Sequence, residues 1–311
     1  MVKNVKRYNK AIVLGAGGFI GINLVNALVV QGWEVVCFDH KASPHWPKEV
    51  RTVLGEFSQM PEELLVELDN ALVFHLISSG RPSSHTNYVE NEINGDLIAT
   101  VRYLEYCKSR SLRWLYVSSG GTVYGQNDGH AISEDAVTQP ICSYGIVKLA
   151  IEKYFALYHV LHRTDFVIVR LSNPYGAWQN PKTGQGLIAA LIYKALRGEQ
   201  VEIWGDGENV RDYIYIDDAV EGVILAGVSG RTSEIYNIGT GIGTSINELI
   251  GILREKLNLQ FTVNYLDART VDVKRNVLDC RKIVSDTDWM PKIDLFSGIW
   301  RSSNWIKTLV E

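Results

Sequence analysis

The sequence lacks the features that mark several classes of protein. No cluster stands out among its 31 lysine and arginine residues, so the charge pattern gives no indication of binding to nucleic acid or to an anionic membrane surface. No apolar stretch reaches the length of about 18 residues needed to span a membrane. The apolar run that follows the basic N-terminus, residues 11–14, is too short for a signal peptide. We therefore expect a cytoplasmic protein.

Cysteine is also scarce, with four residues in a chain of 311 and no Cys-x-x-Cys pair. Scattered single thiols are typical of buried free cysteines rather than of a disulfide framework or a zinc site. They predict a reducing compartment and no metal site. The formal net charge of -4 and the hydrophobic fraction of 46% are those of an ordinary globular protein that buries a sizeable core.

Short apolar runs alternate with amphipathic segments in the first half of the chain. The pattern predicts strands over residues 11–14, 33–38, 72–77, 114–117 and 166–171, and helices over 19–31, 88–108 and 143–162. Strands that alternate with helices favour an α/β fold with a Rossmann-like, doubly wound parallel sheet. The alternation stops after residue 171. We therefore predict a domain of residues 1–171, with strands returning to it from the second half, and a smaller α/β domain of residues 172–311.

A glycine-rich turn joins the first strand to the first helix. Gly15, Gly18 and Gly21 have the spacing Gly-x-x-Gly-x-x-Gly, which lets the backbone approach a pyrophosphate closely. The helix that follows opens with Phe19 and Ile20, so its free N–H groups and positive dipole end point at the same place. These five residues are candidate dinucleotide-binding residues.

An acidic residue ends the second predicted strand. Asp39 follows Gly21 by 18 residues, close to the interval of about 20 for the acid that bonds the adenosine ribose. Its charge repels a 2′-phosphate, which favours NAD over NADP. His40 and Lys41 lie beside it and could tolerate a phosphate, so the alternative stays open.

Tyr144-x-x-x-Lys148 places a phenol and an ammonium group on one helix face. A cation beside a phenol lowers the phenol pKa from its ordinary value near 10. The pair therefore predicts a general base that takes a proton from a substrate hydroxyl while a hydride leaves for nicotinamide. The hydroxyls of Ser119 and Thr122, at the end of the preceding strand, are candidates to hold the substrate oxygen, and the sequence does not rank them.

Further motifs follow in a fixed order along nearly the whole chain. They are His75-Leu76-Ile77, Asn94-Gly95, residues 118–125, Tyr144 to Lys148, residues 170–176, Gly205-Asp206-Gly207 with residues 211–218, and residues 236–241. With the glycine loop, they resemble the extended short-chain dehydrogenases of the NAD-dependent epimerase/dehydratase family. The resemblance implies NAD bound to the first domain and a nucleotide-sugar bound to the second.

The resemblance also implies roles for single residues. Leu76, Asn94 and Ser118 are expected to line the cofactor site together with Tyr144 and Lys148. Substrate binding is expected from Ser119, Tyr144, Asn173, Arg211 and Arg275, with the two arginines holding the diphosphate, which suits a guanidinium fork.

One position departs from the family pattern. Gly120 stands where many members carry the catalytic serine or threonine, so a neighbour such as Ser119 or Thr122, or a water, must replace that hydroxyl. Gly121 and Thr122 stand where the family's dehydratases carry an acidic pair. No acid is local to this segment, which disfavours a dehydratase.

The expected function is therefore a nucleotide-diphosphosugar 4-epimerase acting on a UDP-sugar through a 4-keto intermediate. A nucleotide-sugar 4-ketoreductase that uses NAD(P)H is the alternative, and a non-catalytic dinucleotide sensor is disfavoured because Tyr144 and Lys148 are both present. The resemblance further implies a homodimer paired through the two long helices, 88–108 and 143–162. A place in polysaccharide biosynthesis is implied by the family alone and by no residue.

Overall fold

The computed structural model describes residues 8–80, 89–127, 129–183, 185–268 and 273–310. The strands are β1 (Lys10–Leu14), β2 (Glu34–Asp39), β3 (Arg51–Leu54), β4 (Ala71–His75), β5 (Arg113–Ser119), β6 (Asp165–Leu171), β7 (Asn173–Tyr175), β8 (Val201–Trp204), β9 (Val210–Tyr215), β10 (Glu234–Ile238), β11 (Gly243–Ser245), β12 (Val263–Leu266) and β13 (Arg275–Asn276).

The α-helices are α1 (Phe19–Val30), α2 (Glu62–Leu65), α3 (Val89–Asn91), α4 (Ala99–Cys107), α5 (Ser143–His162), α6 (Leu187–Leu196), α7 (Ile216–Ser229), α8 (Ile246–Gly251), α9 (Arg281–Thr287) and α10 (Leu295–Val310). A π-helical segment, Glu92–Ile98, joins α3 to α4, and a second one, Ile252–Lys256, extends α8. A short 3-10 helix covers Phe57–Gln59.

Seven parallel strands form the main sheet in the order β10-β6-β5-β4-β1-β2-β3. The chain starts in the middle at β1, runs outward to β3, and then crosses to β4 on the other side. The strand order therefore reverses between β1 and β4. Ligands of doubly wound sheets bind at the carboxyl ends of the strands beside such a point, which confirms the predicted fold class and locates the groove.

Both faces of this sheet are buried, because successive side chains of a strand point to opposite sides. One face packs against α1 and α7 through Ala11, Val13, Leu72, Phe74, Leu115 and Val117. The other packs against α4 and α5 through Ile12, Leu14, Val73, Trp114 and Tyr116. This burial explains why the sequence shows continuous apolar runs here instead of an alternation with polar residues.

The second half builds two further sheets. In the small sheet, β9 pairs with β7, β11 and β13, and in a two-stranded sheet β8 pairs with β12. The second half also returns β10 to the main sheet, where β10 pairs with β6. The predicted boundary near residue 172 stays a prediction, although the small sheet does begin with β7 at Asn173.

The helix predicted over residues 88–108 is divided by the π-helical segment between α3 and α4. The predicted strands and the other two helices of the first half are confirmed to within two residues, but the short helix α2 and the strand β3 were not predicted. Only Val53 of that strand is buried, so its apolar signal is weak. Tyr88, the first residue of the helix predicted over 88–108, lies outside the described residues. All four cysteines are free, and two of them, Cys37 and Cys107, are buried. No helix among the described residues is long and apolar enough to cross a membrane.

Candidate active site

The glycine loop has the geometry of a phosphate cradle. Gly15 has a φ of 85°, which a residue with a side chain rarely adopts. A Cβ on Gly21 would lie 2.2 Å from the Gly15 carbonyl oxygen, so α1 can approach the turn this closely only with glycine there. No side chain of the described residues caps α1, which begins at Phe19 and Ile20 after Gly18. Its first-turn N–H groups are therefore directed at the groove, which fits a dinucleotide diphosphate.

Asp39 closes the adenosine end of this loop. Its carboxylate accepts a hydrogen bond of 2.8 Å from the backbone N–H of Gly17. The other carboxylate oxygen accepts from the backbone N–H of His40 at 2.8 Å and lies 2.6 Å from the ring of that histidine. The structure thus brings Asp39 and the glycines together, as the spacing indicated.

The end of β4 passes directly under the glycine loop. A Cβ on Gly15 would lie 3.3 Å from the carbonyl carbon of Leu76 and 3.2 Å from the backbone nitrogen of Ile77. Leu76 is therefore beside the groove. Asn94 is exposed on the π-helical segment and no hydrogen bond joins it to these residues. The two buried residues of that segment lie two positions before and two positions after Asn94, which is roughly 200° away around a helix. Asn94 is therefore on the side opposite to the buried residues, and its position does not support a cofactor contact.

Tyr144 and Lys148 lie on the first two turns of α5, at the carboxyl end of β5. The Lys148 ammonium is 5.7 Å from the centre of the Tyr144 ring and donates a hydrogen bond of 3.0 Å to the Val117 carbonyl. It also lies 4.9 Å from the centre of the Tyr116 ring. Lys148 is thus held near the phenol without bonding it in the free chain.

Burial reverses the pKa shift that the pair alone predicts. Loss of solvent raises the pKa of Tyr144 well above its usual value, while Ser119 acts in the lowering direction. The direction of the shift is thus opposite to the one expected from Lys148 alone, and the role of Tyr144 as a base stays a prediction. Burial also lowers the pKa of Lys148 to about 8, while Asp96 and Glu152 act to raise it.

The three hydroxyls of the strand end have different partners. Ser119 lies near enough to the Tyr144 phenol to act on its pKa in the lowering direction, whereas the Ser118 hydroxyl donates to the buried Glu152 carboxylate. The Thr122 hydroxyl is buried and has no hydrogen-bond partner among the described residues. Its side chain packs against Gly145, where a Cβ would lie 3.3 Å away. Only Ser119 is therefore in place to share a substrate oxygen with Tyr144.

Gly120 and Gly121 differ in the space around them. A Cβ on Gly120 would lie 2.6 Å from the Leu278 side chain and 3.1 Å from the Arg170 carbonyl oxygen, so the serine or threonine of the family pattern does not fit. A Cβ on Gly121 would make ordinary contacts of 3.7 Å with the Asn173 side chain and 3.8 Å with the Ser119 hydroxyl. Gly121 therefore leaves a small open space between those two polar groups.

The three residues expected to bind the diphosphate and sugar lie on one small sheet. Asn173 begins β7 and is opposite Tyr213, while Arg275 of β13 is opposite Val210, the neighbour of Arg211. Asn173 donates 3.0 Å to the Asp212 carbonyl, which leaves its side-chain oxygen toward Gly121. Neighbouring residues of a strand point to opposite sides, so this register places Arg211 on the same face as Asn173 and Arg275 on the opposite face. The structure therefore brings Asn173 and Arg211 together but does not bring Arg275 to them.

Two acids that the sequence did not single out lie beside the pair. Glu92 and Asp96 are 1% and 3% exposed, and both act to raise the pKa of Tyr144. Glu92 accepts a hydrogen bond from the Ser143 hydroxyl. These acids contact α5 and the loop after β4, not the Gly121 and Thr122 positions. The argument that no acid is local to that segment therefore stays a prediction.

A buried ion pair lies beneath the site. Glu152 is one further turn along α5 and binds the Arg170 guanidinium at 2.7 Å and 3.2 Å. The Tyr124 hydroxyl accepts from Arg170 at 3.0 Å and donates to the Asn237 side chain at 2.7 Å. The spacing Tyr-x-x-x-Lys-x-x-x-Glu along one helix face was the signal that could have revealed Glu152.

The fold and these residues define a dinucleotide-dependent enzyme with the paired tyrosine and lysine of a short-chain dehydrogenase. A model of the NAD dependent epimerase/dehydratase family matches residues 11–239. The chain belongs to that family, and NAD is its cofactor.

Relatives from this family match the chain over almost its full length. The UDP-glucose 4-epimerase of Mycolicibacterium smegmatis is 29% identical over 300 residues, which span 93% of this chain and 96% of the relative. The dTDP-4-dehydro-6-deoxyglucose reductase of Escherichia coli is 28% identical over 94% and 96% of the two chains. The crystal structure of a UDP-glucose 4-epimerase with UDP-glucose from Thermotoga maritima is similar with a TM-score of 0.92, at 29% identity, and the match covers 97% and 100% of the chains.

Proposed function

We propose that this enzyme is a nucleotide-diphosphosugar 4-epimerase whose substrate is a UDP-sugar. The observation that carries the proposal is the placement of Ser119 beside the Tyr144 phenol, with the Lys148 ammonium 5.7 Å from the centre of that ring. The pair lies between the groove at the β1–β4 reversal and the small sheet that carries Asn173. A sugar hydroxyl at this point would reach both the proton acceptor and the cofactor groove.

When bound in the groove beside the glycine loop, NAD would supply the hydride acceptor and donor for C4 of the sugar. Tyr144 takes the proton of the C4 hydroxyl in the first half of the reaction and gives it back in the second, so that atoms and charge balance over a turn. Ser119 holds the C4 oxygen beside the phenol in both halves. Lys148 supplies the nearby positive charge that favours the phenolate.

The small sheet is suited to a diphosphate. The Arg211 guanidinium, on the same face as Asn173, would bind its oxygens in a bidentate manner, and the Asn173 amide would bond the sugar or the adjoining phosphate. The space above Gly121 would admit the sugar ring between Asn173 and Ser119. Relatives named UDP-glucose 4-epimerases support a uridine nucleotide.

A nucleotide-sugar 4-ketoreductase is the second candidate, because one close relative is named as a reductase. The same tyrosine would then donate its proton to a keto oxygen. The difference lies in the cofactor, which a reductase must exchange at each turn and an epimerase retains.

Proton NMR of the purified protein with UDP-glucose, UDP-galactose and their N-acetyl forms, without added reductant, tests the proposal. We expect one of these sugars to convert to a mixture with its C4 epimer. If none of them changes over many hours while a 4-keto nucleotide-sugar is reduced with consumption of NAD(P)H, the reductase is the correct function.

We further propose that the enzyme is a homodimer paired through α5 and the helix before it. The single chain exposes apolar residues along this surface, namely Ile93, Tyr106, Ile146, Leu157, Val160 and Leu161. A second copy would cover them, and symmetric dimers are the commonest oligomers. Light scattering after gel filtration should give the mass of two chains for the wild type and of one for the double variant L157E/L161E. V30E, which changes an exposed apolar residue of α1, should stay dimeric.

A further inference from the structure

A buried carboxylate lies on the route from the glycine loop to Tyr144. The end of β4 runs beneath Gly15 and continues to Ser79, whose backbone N–H donates to both oxygens of Asp96 at 2.9 Å and 3.0 Å. A Cβ on Gly95 would lie 3.9 Å from the Ser79 hydroxyl, so this turn of the π-helical segment packs on the β4 loop. Asp96 is therefore held against the loop that follows β4, near enough to Tyr144 and Lys148 for its charge to act on both.

The charges around Asp96 are few and can be named. Lys148 acts on it as an opposite charge, and Glu92 as a like charge. Glu152, the other carboxylate that acts on Lys148, is bound by Arg170. No basic side chain forms an ion pair with Asp96 in the described part of the chain.

His75 adds no positive charge near this point. It lies on β4, and burial lowers its pKa to about 3. Because Glu152 is already paired with Arg170, Asp96 is the carboxylate that can offset the positive charge of Lys148 and that of a cationic ligand group.

The two redox forms of NAD differ in charge at the ring that approaches Tyr144. The oxidised nicotinamide is a cation and the reduced one is neutral. A cationic ring beside the Lys148 ammonium is repelled, and that repulsion is strong where water is excluded. A carboxylate at the same place offsets the repulsion for the oxidised form only.

We propose that Asp96 is the counter-charge that lets the site hold cationic Lys148 and oxidised nicotinamide together, so that the enzyme binds NAD⁺ in preference to NADH. The proposal rests on the proposed function in one respect, the position of the nicotinamide beside Tyr144. Its consequence for an epimerase is that the resting enzyme keeps its cofactor oxidised and returns the hydride to the sugar.

Competition between the two forms tests this directly. Wild type and Asp96→Asn are dialysed to equilibrium against equal concentrations of NAD⁺ and NADH, and the bound nucleotides are quantified by chromatography after rapid desalting. Asparagine keeps an acceptor for the Ser79 N–H but removes the charge. We expect the bound ratio of NAD⁺ to NADH to fall on the order of tenfold in the variant.

Two further variants separate charge at the ring from other effects. Asp39→Asn removes a carboxylate at the adenosine end, which both forms share, so it should weaken both equally and leave the ratio unchanged. Lys148→Met removes the repelling cation and should raise the ratio. That variant decides the question if Asp96→Asn does not fold.

The proposal is overturned if the bound ratio of NAD⁺ to NADH in Asp96→Asn stays within twofold of wild type. It is also overturned if the ratio falls equally in Asp39→Asn, or if it is unchanged or lower in Lys148→Met. Failure of the proposed epimerase function can be distinguished from failure of this proposal, because the former is measured by the NMR assay and the latter by the bound nucleotide ratio. An enzyme that epimerises no sugar but shows these opposite shifts loses the proposed function and keeps the role of Asp96.

Discussion

The two ends of the cofactor groove are built in different ways. The adenosine end comes from one stretch of chain, β1 to β2, and its groups already bond each other, as the Gly17 N–H bonds Asp39. The catalytic end gathers Asp96, Ser119, Tyr144 and Lys148 from separate segments, and buried charges govern it. The first end thus depends on backbone geometry and the second on electrostatic balance, so substitutions should damage them in different ways.

The largest expected effect separates catalysis from cofactor binding. Tyr144→Phe removes the proton acceptor and keeps the ring, so turnover should fall on the order of 10³-fold or more, while bound NAD is retained because the glycine loop is intact. NMR epimerisation and the nucleotide content of the purified protein measure the two effects. A variant with more than a tenth of wild-type activity would contradict the assigned role.

Gly21→Ala should break the adenosine end instead. The new Cβ would lie 2.2 Å from a backbone oxygen, and relieving this overlap should cost about 1–3 kcal/mol of stability and displace the first turn of α1. We expect a lower melting temperature and loss of co-purified NAD. Gly251→Ala is the matched control, because a Cβ there meets nothing within 4 Å; a melting temperature equal to that of the control would refute the expectation.

The competing hydroxyls of the catalytic end are distinguished by a matched pair of variants. Ser119→Ala removes the hydroxyl beside Tyr144 that is proposed to hold the C4 oxygen, and should reduce turnover by about 10- to 100-fold. Thr122→Val keeps the shape of a side chain whose hydroxyl has no partner among the described residues, and should change turnover less than threefold. If steady-state assays show equal losses of turnover, or a larger loss for Thr122→Val, Ser119 is not the hydroxyl that holds the substrate oxygen.

The smallest expected effect is a pH dependence, and it should be confined to the catalytic end. Burial lowers the pKa of Lys148 to about 8, so raising the pH through this value neutralises the ammonium and weakens the support for the phenolate. The ratio kcat/KM should therefore fall above pH 8, by up to tenfold for each pH unit, while NAD affinity at the adenosine end changes little. Asp96→Asn should move the fall to lower pH, because the carboxylate that favours the lysine cation is gone. A flat profile to pH 10 would contradict this.

Several features of the protein were determined by the sequence because they depend on short-range spacing. A turn that needs a glycine at a φ of 85°, an acid at the end of the next strand, and a tyrosine and lysine one helical turn apart are all local. Buried parallel strands are equally readable, because both faces must be apolar. Strand β3, with only Val53 buried, gave too weak a pattern to predict.

Only the tertiary structure decided which groups meet at the reacting atoms. It placed Ser119 nearer than Thr122 to the Tyr144 phenol, crowded the Gly120 position with the Leu278 side chain, and brought the charge of Asp96 from the π-helical segment to Lys148. It also reversed the expected pKa shift of Tyr144. The physical reason is the same in each case: burial and the charges of residues distant in sequence determine these properties, and neither quantity is present in the spacing of residues along a chain.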